Sequence, residues 1–409
     1  MTIWIMEPRD PLLVRDGRPF GPDPGARATS LPFPFPSTLA GGIRARAGSN
    51  EDGIFQYVGD KAALQRLKTL RIRGPLLVQL TADGGDIDPD TWLLPAPHDA
   101  QLLPTHETEL DSTTAYLRRL VPLAALSGAL TDLDQRELWF VGDPGSNAQS
   151  KPLKTAPAFW YWQPMKNWLL DPALLTGAVQ TLSQLGLRKL ESERRLHVSI
   201  DAAKETAKEG MLFETSGLEF TAPGNGKQRL HDARRLALVI AAEDGAYTVH
   251  SGLTSFGGER RLVTWRKSSV ELPACPEEVA KEIIASGHCR VCLLTPAYFA
   301  QGYRPKWLLE EHYGVTATLR AMAVQRPQVV SGWDLEIGKP KPSRRLAPAG
   351  TVLFLSLKGT AEARREWVRN MWMQCISDDE MAARTDGFGL AVLGTWDGQA
   401  VPIERGATQ

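Results

Sequence analysis

Residues Arg15 to Arg46 read RDGRPFGPDPGARATSLPFPFPSTLAGGIRAR, and this stretch links the first predicted strand to the first predicted helix. Prolines at positions 32, 34 and 36 fix φ and donate no backbone hydrogen bonds, so they predict an extended and rigid segment. Ser37 is a good N-cap residue, and we expect a helix to begin there and to run to about Ala47. The stretch therefore predicts a rigid loop that leads into a helix packed on a sheet.

Two adjacent glycines, Gly41 and Gly42, lie inside this predicted helix. Each costs about 1 kcal/mol relative to alanine, and the usual compensation is the close approach of another group. The helix N-terminus and the arginines that follow, Arg44 and Arg46, can also attract an anion. The residue types leave two alternatives open, a helix that packs on a sheet and a helix that binds an anion.

The composition predicts a globular protein with two domains. A chain of 409 residues exceeds what one hydrophobic core usually supports, and its 43% hydrophobic and 23% charged residues are ordinary values. Lys plus Arg and Asp plus Glu both number 47, so no global field attracts the chain to nucleic acid and any basic site must be local. Local excesses occur between Gly258 and Lys267 and between Arg326 and Arg345, although such runs are usually solvated faces.

Three features predict a soluble, cytoplasmic protein with no membrane partner. Four cysteines in 409 residues are too few for a disulfide framework. No charged-then-apolar leader opens the chain. No apolar run approaches the ~18 residues of a membrane-spanning helix.

The order of predicted elements favours an α+β fold with ferredoxin-like units. Thr2–Met6 is a short apolar strand, and the helix after Ser37 follows it. Thr69–Arg73 and Leu76–Leu80 then read as a hairpin around a Gly-Pro turn. A strand, a helix and a hairpin are the first part of a β-α-β-β-α-β unit.

Two interruptions divide this pattern into domains. Residues 81–166 are rich in Pro, Asp and Gly, so we expect a long insertion packed on the first domain. Gly224–Gly226 reads as a domain boundary, after which the order of strands and helices repeats. We therefore expect a first domain at residues 1–223 and a second one, with a glycine-rich loop near its end, at 224–409. Inside the insertion, the aromatic run Phe159–Trp162 either stacks on bases or is buried, and we expect burial.

Residues 194–220 predict a long, protruding β-hairpin. Its first strand alternates between an apolar and a polar face. The apolar face carries Leu196, Val198 and Ile200, and the polar face carries Arg195, His197 and Ser199. The polar residues 201–209 that follow predict an exposed tip, which carries Lys204 and Lys208.

The titratable residues give little support for a metal or for catalysis. His288, Cys289 and Cys292 are too few ligands for zinc, and positions i and i+3 of a strand point to opposite faces. We therefore expect these cysteines to be small buried residues, with no metal and no cofactor. His197 is the histidine best placed for general acid–base chemistry on RNA, but a histidine that hydrogen-bonds near the core or to a phosphate has the same signature.

Two glycine-rich turns are candidates for a phosphate contact. Gly257 and Gly258 precede Arg260 and Arg261, and loops that combine glycine with arginine can wrap a phosphate backbone. The second turn, Gly387-Phe-Gly389, leads into a predicted final strand. It is neither a Walker loop nor a dinucleotide fingerprint, because it lacks Gly-Lys-Ser/Thr and a following helix.

Five stretches, in order along nearly the whole chain, resemble one family of proteins. They are Pro11–Phe20; Phe33–Arg44; Arg195–Asp201 with Glu209–Phe213; Phe256–Arg260; and Ser331–Asp334 with Pro348–Gly350. Together they are similar to the third subunits of the Cmr complex, the type III-B CRISPR effector, which are RAMP superfamily proteins. The turn Gly387-Phe-Gly389 with Gly394 resembles the RAMP glycine-rich loop, with one residue fewer before the last glycine.

The resemblance implies two ferredoxin-like (RRM-like) RAMP domains. It also implies a subunit of antiviral defence that holds the repeat-derived 5′ tag of the CRISPR RNA and docks on the large polymerase-like subunit and on the backbone RAMP subunits. Subunits of this kind are not the nuclease of the complex, so we expect no enzymatic activity. Two alternatives stay open, a metal-independent CRISPR RNA-processing endoribonuclease with His197 as its acid or base, and a purely protein-binding adaptor.

The expected RNA contacts come from the opening stretch, the hairpin and the two glycine-rich turns. Proteins recognise single-stranded RNA by stacking, by backbone contacts and by arginine, and glycine allows close approach to a phosphate. The expected RNA-binding residues are Arg15, Arg18, Ser37, Thr38, Gly41, Gly42, Arg44, Arg46, Arg195, His197, Lys204, Lys208, Gly257, Gly258, Arg260, Arg261, Gly387 and Gly389.

Overall fold

The structure is a computed structural model, and it describes residues 1–15, 27–81, 85–105, 113–124, 138–144, 151–223, 233–334, 339–378 and 382–402. Arg18 and the predicted boundary Gly224–Gly226 lie outside the described residues. The elements confirm the α+β class, with mostly antiparallel sheets and several helices. No helix in the described part of the chain is both long and apolar enough to cross a membrane.

Strands outnumber helices along the described chain. The helices are α1 (Pro36–Ala47), α2 (Lys61–Lys68), α3 (Trp162–Leu170), α4 (Leu182–Leu185), α5 (Glu277–Ser286), α6 (Lys306–Leu309), α7 (Ala361–Met371) and α8 (Ala382–Thr385), and Pro172–Leu174 forms a 3-10 turn. The strands are β1 (Thr2–Pro8), β2 (Arg27–Thr29), β3 (Ile72–Leu80), β4 (Ile87–Pro95), β5 (Ala100–Pro104), β6 (Thr114–Arg119), β7 (Val121–Ala124), β8 (Phe140–Gly142), β9 (Phe159–Tyr161), β10 (Val179–Thr181), β11 (Gly186–Leu187), β12 (Glu191–Asp201), β13 (Thr206–Glu219), β14 (Thr221–Ala222), β15 (Arg234–Ala242), β16 (Gly252–Phe256), β17 (Arg261–Ser268), β18 (His288–Leu293), β19 (Thr316–Ala323), β20 (Gln328–Asp334), β21 (Lys339–Leu346), β22 (Val352–Lys358), β23 (Gln374–Cys375), β24 (Leu390–Thr395) and β25 (Val401–Pro402).

The chain forms two compact units, and each unit is assembled from three segments. The first unit contains Met1–Asp88, Lys189–Glu271 and Val329–Arg345, and the second contains Pro89–Arg188, Leu272–Gln328 and Leu346–Gln409. This division differs from the single predicted boundary at residue 224. Most of the predicted insertion belongs to the unit that also contains the C-terminal strands and helices.

The first unit is built around an antiparallel sheet in the order β3-β15-β1-β17-β16. The register pairs Trp4 with Ile240 on one side and with Lys267 on the other. β1 and β15 are nearly continuous apolar runs, which is the pattern of strands buried on both faces. The predicted first strand is therefore confirmed, and it lies at the centre of this sheet.

α1 contacts β3 of this sheet and buries Leu39 and Ile43 completely. The helix begins at Pro36, and its N-cap residue is Phe35, which makes no side-chain capping bond. The predicted N-cap role of Ser37 is therefore wrong by two positions. The physical reason is that proline is preorganised for the first helical position, where its missing N–H is not needed.

β12 and β13 form the predicted long hairpin. They pair from Glu191 and Glu219 at the base to Asp201 and Thr206 at the tip, with a bulge after Val198. β2 adds to β13 in parallel, so the hairpin is part of a three-stranded sheet with β12 at one edge.

The second unit contains an antiparallel sheet in the order β19-β22-β18-β24-β23. α5 and α7 contact each other, and both also contact β24. Val279 of α5 and Trp367 of α7 are fully buried at this layer. The strand predicted after Gly389 is confirmed as β24. The hairpin predicted at residues 69–80 is wrong, because Ile72–Leu80 pairs along its length with β15 as the single strand β3. The ferredoxin-like topology stays a prediction in both units.

A buried ion pair between Arg290 and Asp99 holds part of the predicted insertion in the second unit. Arg290 Nη1 donates to Asp99 Oδ2 at 2.6 Å, and Arg290 Nε donates to the Thr395 carbonyl at 2.8 Å. Trp168 Nε1 donates to the other carboxylate oxygen of Asp99 at 2.8 Å. Because a buried guanidinium needs a counterion, this network fixes the segment around Asp99 and helix α3 onto the C-terminal sheet.

The aromatic run of the predicted insertion and the cysteine pair are buried inside the same unit. Phe159 and Trp160 are buried, which confirms the expected burial for half of the run, whereas Tyr161 and Trp162 are half-buried. The Trp160 ring meets the Trp168 ring edge to face at a centroid distance of 5.8 Å. Cys289 and Cys292 are buried in β18, and burial raises the pKa of the Cys292 thiol to about 12. Within the described ranges, no group of three or more His, Cys, Asp or Glu is arranged to hold a metal ion.

Candidate nucleic-acid interface

The base of the long hairpin and the turn after β16 lie against one segment, Pro11–Arg15. Leu12 N donates to the Leu218 carbonyl at 2.9 Å, and Gly258 N donates to the Leu13 carbonyl at 2.7 Å. The structure thereby brings two of the predicted RNA-binding groups together, although they are some forty residues or more apart in the sequence. We call this region the hairpin base.

The turn Gly257–Arg260 has an uncommon backbone conformation. φ is +73° at Gly257, +55° at Glu259 and +51° at Arg260. A Cβ at Gly257 would lie 2.8 Å from the Leu13 carbonyl oxygen, so glycine is needed here for packing within the chain. Two successive non-glycine residues with positive φ are costly, and such strain concentrates at functional sites. The strained backbone presents the exposed Arg260 at the surface.

Two arginines at the hairpin base are each paired with a glutamate two residues earlier. Arg195 Nε lies 2.5 Å from Glu193 Oε1, and Arg261 Nη2 lies 2.7 Å from Glu259 Oε2. The hydrogen bond from Arg195 lowers the pKa of Glu193, and the charge of Arg261 acts in the same direction. The Arg195–Glu193 pair is exposed, and exposed pairs contribute little to stability, so a phosphate can replace this carboxylate at small cost. For Glu193 and Arg195, which both lie in β12, the Glu-x-Arg spacing is a signal in the sequence, since i and i+2 share a strand face.

His197 lies on the polar face of the hairpin and is held by two neighbours. Its Nε2 is 2.9 Å from Thr215 Oγ1, and its ring stacks on Phe213 with centroids 5.0 Å apart and an interplanar angle of 11°. A hydroxyl and an aromatic ring fix the imidazole in place. This arrangement is typical of a stacking or hydrogen-bonding histidine, and Phe213 is a member of the site that the sequence did not predict.

Three exposed cations of the predicted site have no side-chain partner in the described part of the chain. Lys204 and Lys208 lie at the tip of the hairpin, and Arg260 lies at the hairpin base. None of them makes an ion pair, a side-chain hydrogen bond or a ring contact there. These three charges are therefore available to an anionic ligand without the loss of an existing contact.

The apolar face of the hairpin is exposed to solvent. Leu196 is 69% exposed, Val198 46%, Ile200 61% and Leu212 50%. Leu212 lies directly opposite Val198 in the register, so the patch spans both strands. Exposed aliphatic side chains that adjoin in this way mark an interaction surface. We call these four residues the apolar patch.

α1 uses its two arginines inside the first unit. Arg44 Nη2 donates to the Leu70 carbonyl at 2.9 Å, and Arg46 Nε donates to the His250 carbonyl at 3.0 Å. Arg46 is buried, and burial lowers the pKa of its guanidinium. Both side chains hold the helix in place, so we leave them out of the proposed interface.

The other residues of the opening stretch lie at different depths. Arg15 ends the segment at the hairpin base and is exposed, and it forms a β-bridge with Ser30. Ser37 and Thr38 are half-buried in the first turn of α1. Of these residues only Arg15 lies in the segment that joins the hairpin to the turn.

The second glycine-rich turn is buried in the second unit. Gly387 and Gly389 are both buried, with φ of +94° and +76°. A Cβ at Gly389 would lie 2.7 Å from Ser377 N, so glycine allows the backbones to pack closely. Thr295 Oγ1 donates to the Gly387 carbonyl at 2.7 Å. These contacts give the turn a packing role, and we leave it out of the proposed interface.

The two glycines of α1 have different surroundings. A Cβ at Gly42 would lie 2.6 Å from the ring of Phe256 and 3.2 Å from the ring of Trp265. A Cβ at Gly41 would meet no atom of the described chain within 4 Å, and Gly41 is exposed. Close approach of another group is thus visible at Gly42, and that group is an aromatic ring.

We expect Gly42→Ala to be less stable than Gly41→Ala by about 1–3 kcal/mol, because only the first forces buried rings to move. The gain in helix propensity, about 1 kcal/mol, is common to both variants and cancels in the comparison. Urea unfolding of the two full-length variants measures the difference. Equal stabilities would show that the ring contact is not what requires glycine at position 42.

Comparisons with known proteins identify the family. A family model described as CRISPR-associated protein (Cas_Cmr3) matches residues 4–396. The chain therefore belongs to this family of CRISPR-associated proteins, which confirms the resemblance seen in the sequence. As a member it is a subunit of the Cmr complex, the type III-B CRISPR effector.

Two solved structures are similar to the chain. Both are cryo-EM structures of the Type III-B Cmr-beta bound to cognate target RNA, one of them also with AMPPnP. The identity is 17% in both cases, each match covers 86% of either chain, and the TM-scores are 0.46 and 0.44. No curated protein sequence matches the chain.

Proposed function

We propose that the protein is a non-catalytic, cytoplasmic subunit of the type III-B effector that binds the 5′ tag of the CRISPR RNA. In this function it also docks on the large polymerase-like subunit and on the backbone RAMP subunits. The proposal combines the family with one observation, which is the chemistry of the long hairpin.

The two faces of the hairpin support two kinds of contact. The polar face carries Arg195 and the stacked pair of His197 and Phe213, which suit a phosphate and a splayed base. The apolar patch suits a protein neighbour, because exposed aliphatic side chains gain free energy when another protein covers them. A subunit that lies between RNA and protein needs both surfaces.

We expect the RNA affinity to depend on Lys204, Lys208 and Arg260. Removal of all three charges as Lys204→Gln, Lys208→Gln and Arg260→Gln should lower the affinity for a single-stranded RNA with the repeat-derived tag roughly 100-fold at 0.1 M salt. The slope of log affinity against log salt should become shallower by about 2, since each lost phosphate contact removes about 0.7. Titration of a fluorescent tag RNA with the full chain at several salt concentrations measures both quantities.

A control removes three exposed charges elsewhere, as Lys61→Gln, Arg66→Gln and Arg365→Gln, and should leave affinity and slope unchanged. Wild-type protein without measurable affinity for the tag RNA would favour the purely protein-binding adaptor. Cleavage of repeat RNA in EDTA that is lost in His197→Ala would favour the endoribonuclease instead. Either result would overturn the proposal.

A further inference from the structure

A second, smaller hairpin of the first unit has a concentration of positive charge. β20 and β21 form a two-stranded sheet of their own, and Ser331 Oγ donates to the Lys341 carbonyl at 2.9 Å. The sequence shows an excess of basic residues here, which by itself is the pattern of an ordinary solvated face. The structure adds how the charges of β21 are arranged.

The cations of β21 lie in a row on one face of the strand. Lys339, Lys341, Ser343 and Arg345 are alternate residues, so their side chains point to the same side. All four are exposed. At about 3.4 Å per residue, neighbours in this row are about 7 Å apart and the row is about 20 Å long. Charges spaced along a line match a linear polyanion better than a compact ligand.

The charges of this row are unpaired in the described part of the chain. Lys339, Lys341 and Arg345 make no ion pair and no side-chain hydrogen bond there, in contrast to Arg195 and Arg261 at the hairpin base. Mutual repulsion of three neighbouring cations is unfavourable in the isolated chain. An anionic partner relieves that repulsion.

The backbone of β21 argues against a strand from another protein as that partner. Prolines at positions 340 and 342 have no N–H, and both positions direct their N–H side to the same edge of the strand. That edge therefore lacks two successive donors for an added strand, although Arg344 retains its N–H. What β21 offers is its row of side chains, which suits a chain of phosphates.

We propose that the face of β21 formed by Lys339, Lys341, Ser343 and Arg345 binds the phosphate backbone of single-stranded RNA. This inference rests on the proposed function, and it adds a contact outside the hairpin base and the hairpin tip. Contacts from lysine and arginine to phosphates carry no sequence information. The contact therefore adds affinity for any single-stranded RNA that follows the tag, whatever its sequence.

The test compares the full chain with the variant Lys339→Gln, Lys341→Gln, Arg345→Gln. The probes are a tagged single-stranded RNA and one of scrambled sequence. We expect roughly 100-fold weaker binding of both probes at 0.1 M salt and a salt slope shallower by about 2, in proportion to three phosphate contacts. The single variant Lys341→Gln should reduce the slope by about 0.7, and Lys339→Arg with Lys341→Arg should retain the affinity because the charges are kept.

The variant with Lys61→Gln, Arg66→Gln and Arg365→Gln again serves as the matched control and should bind like the wild type. If wild-type RNA binding depends on Lys204, Lys208 and Arg260 but not on β21, the inference fails while the proposed function stands. In that case the lysines only protect a strand edge or face an acidic protein. If the wild type does not bind RNA at all, the proposed function fails as well.

Discussion

Asp99→Ala should destabilise the second unit by about 3–5 kcal/mol, the range for a buried ion pair that loses one partner. Asp99 and Arg290 are both fully buried, and the carboxylate accepts one hydrogen bond from Arg290 and one from Trp168. Removal of the carboxylate leaves a guanidinium without a counterion and an indole N–H without an acceptor. Arg290→Ala should have an effect of similar size, since it leaves the carboxylate uncompensated.

Replacement of both partners by apolar residues should restore much of the lost stability. In Asp99→Leu with Arg290→Met the buried pair is removed from both sides, and Arg119 nearby loses the attraction of Asp99 together with the repulsion of Arg290. Well-packed apolar residues can replace a buried pair at little net cost. The backbone carbonyls of Trp168, Leu169 and Thr395 then lose the donors that Arg290 supplies, so the recovery should be incomplete.

Urea unfolding of the full chain, followed by tryptophan fluorescence, measures these changes. The expected signal is a shift in the urea midpoint at which the second unit, which contains Trp168, unfolds. The control is Lys281→Ala, which breaks an exposed pair with Glu277 at 2.7 Å and should leave the transition unchanged. Asp99→Ala with the stability of the wild type would show that water reaches the guanidinium and that the pair does not hold this segment in place.

This pair also explains why the predicted division of the chain differs from the observed one. Local patterns predict β1, the long hairpin and β24 correctly, but they misread the single strand β3 as a hairpin. Asp99 and Arg290 are 191 positions apart, and no pattern in the sequence around either residue indicates that the other is its partner. A predicted insertion looks independent in the sequence, although a single counterion fixes its place in the C-terminal unit.

The glycines show a similar limit of the sequence. Gly41 and Gly42 are the same residue type in the same helix, and only the neighbouring Phe256 distinguishes them. The unfavourable helix propensity of a glycine can be read from the sequence. The close packing that compensates for it depends on a residue distant in the sequence. At Gly389 the compensation is a close approach to the Ser377 backbone, and a phosphate is not needed to explain it.

The long hairpin was predicted best, and its alternation is the reason. A period of two residues assigns Leu196 and His197 to opposite faces whatever surrounds the strand. Alternation predicts that the two faces of the hairpin differ in polarity, but it does not predict which face is buried against the rest of the chain. Since apolar faces are buried in most strands, the exposure of the apolar patch could not be inferred from the pattern.

Because the apolar patch is exposed, we expect the variant Leu196→Lys to have the largest effect on assembly of the complex. Leu196 lies opposite Glu214 in the register, so a lysine there gains a carboxylate neighbour and the folded subunit should keep its stability. In the proposed assembly the same lysine must lose its hydration shell, because a neighbouring subunit covers it. Burial of such a charge costs several kcal/mol, so we expect subunit docking to weaken roughly 100-fold or more.

Reconstitution with the large subunit and the backbone subunits, followed by size-exclusion chromatography at graded concentrations, measures the docking affinity. Leu253→Lys is the matched control, because Leu253 is also a strand leucine of the first unit and is 58% exposed. It should assemble like the wild type. Leu196→Lys should retain the affinity of the isolated subunit for tag RNA, since the apolar patch and the polar face lie on opposite sides of the hairpin. Normal assembly of Leu196→Lys would mean that the patch faces solvent in the complex, and the docking part of the proposal would then have to be assigned to another surface.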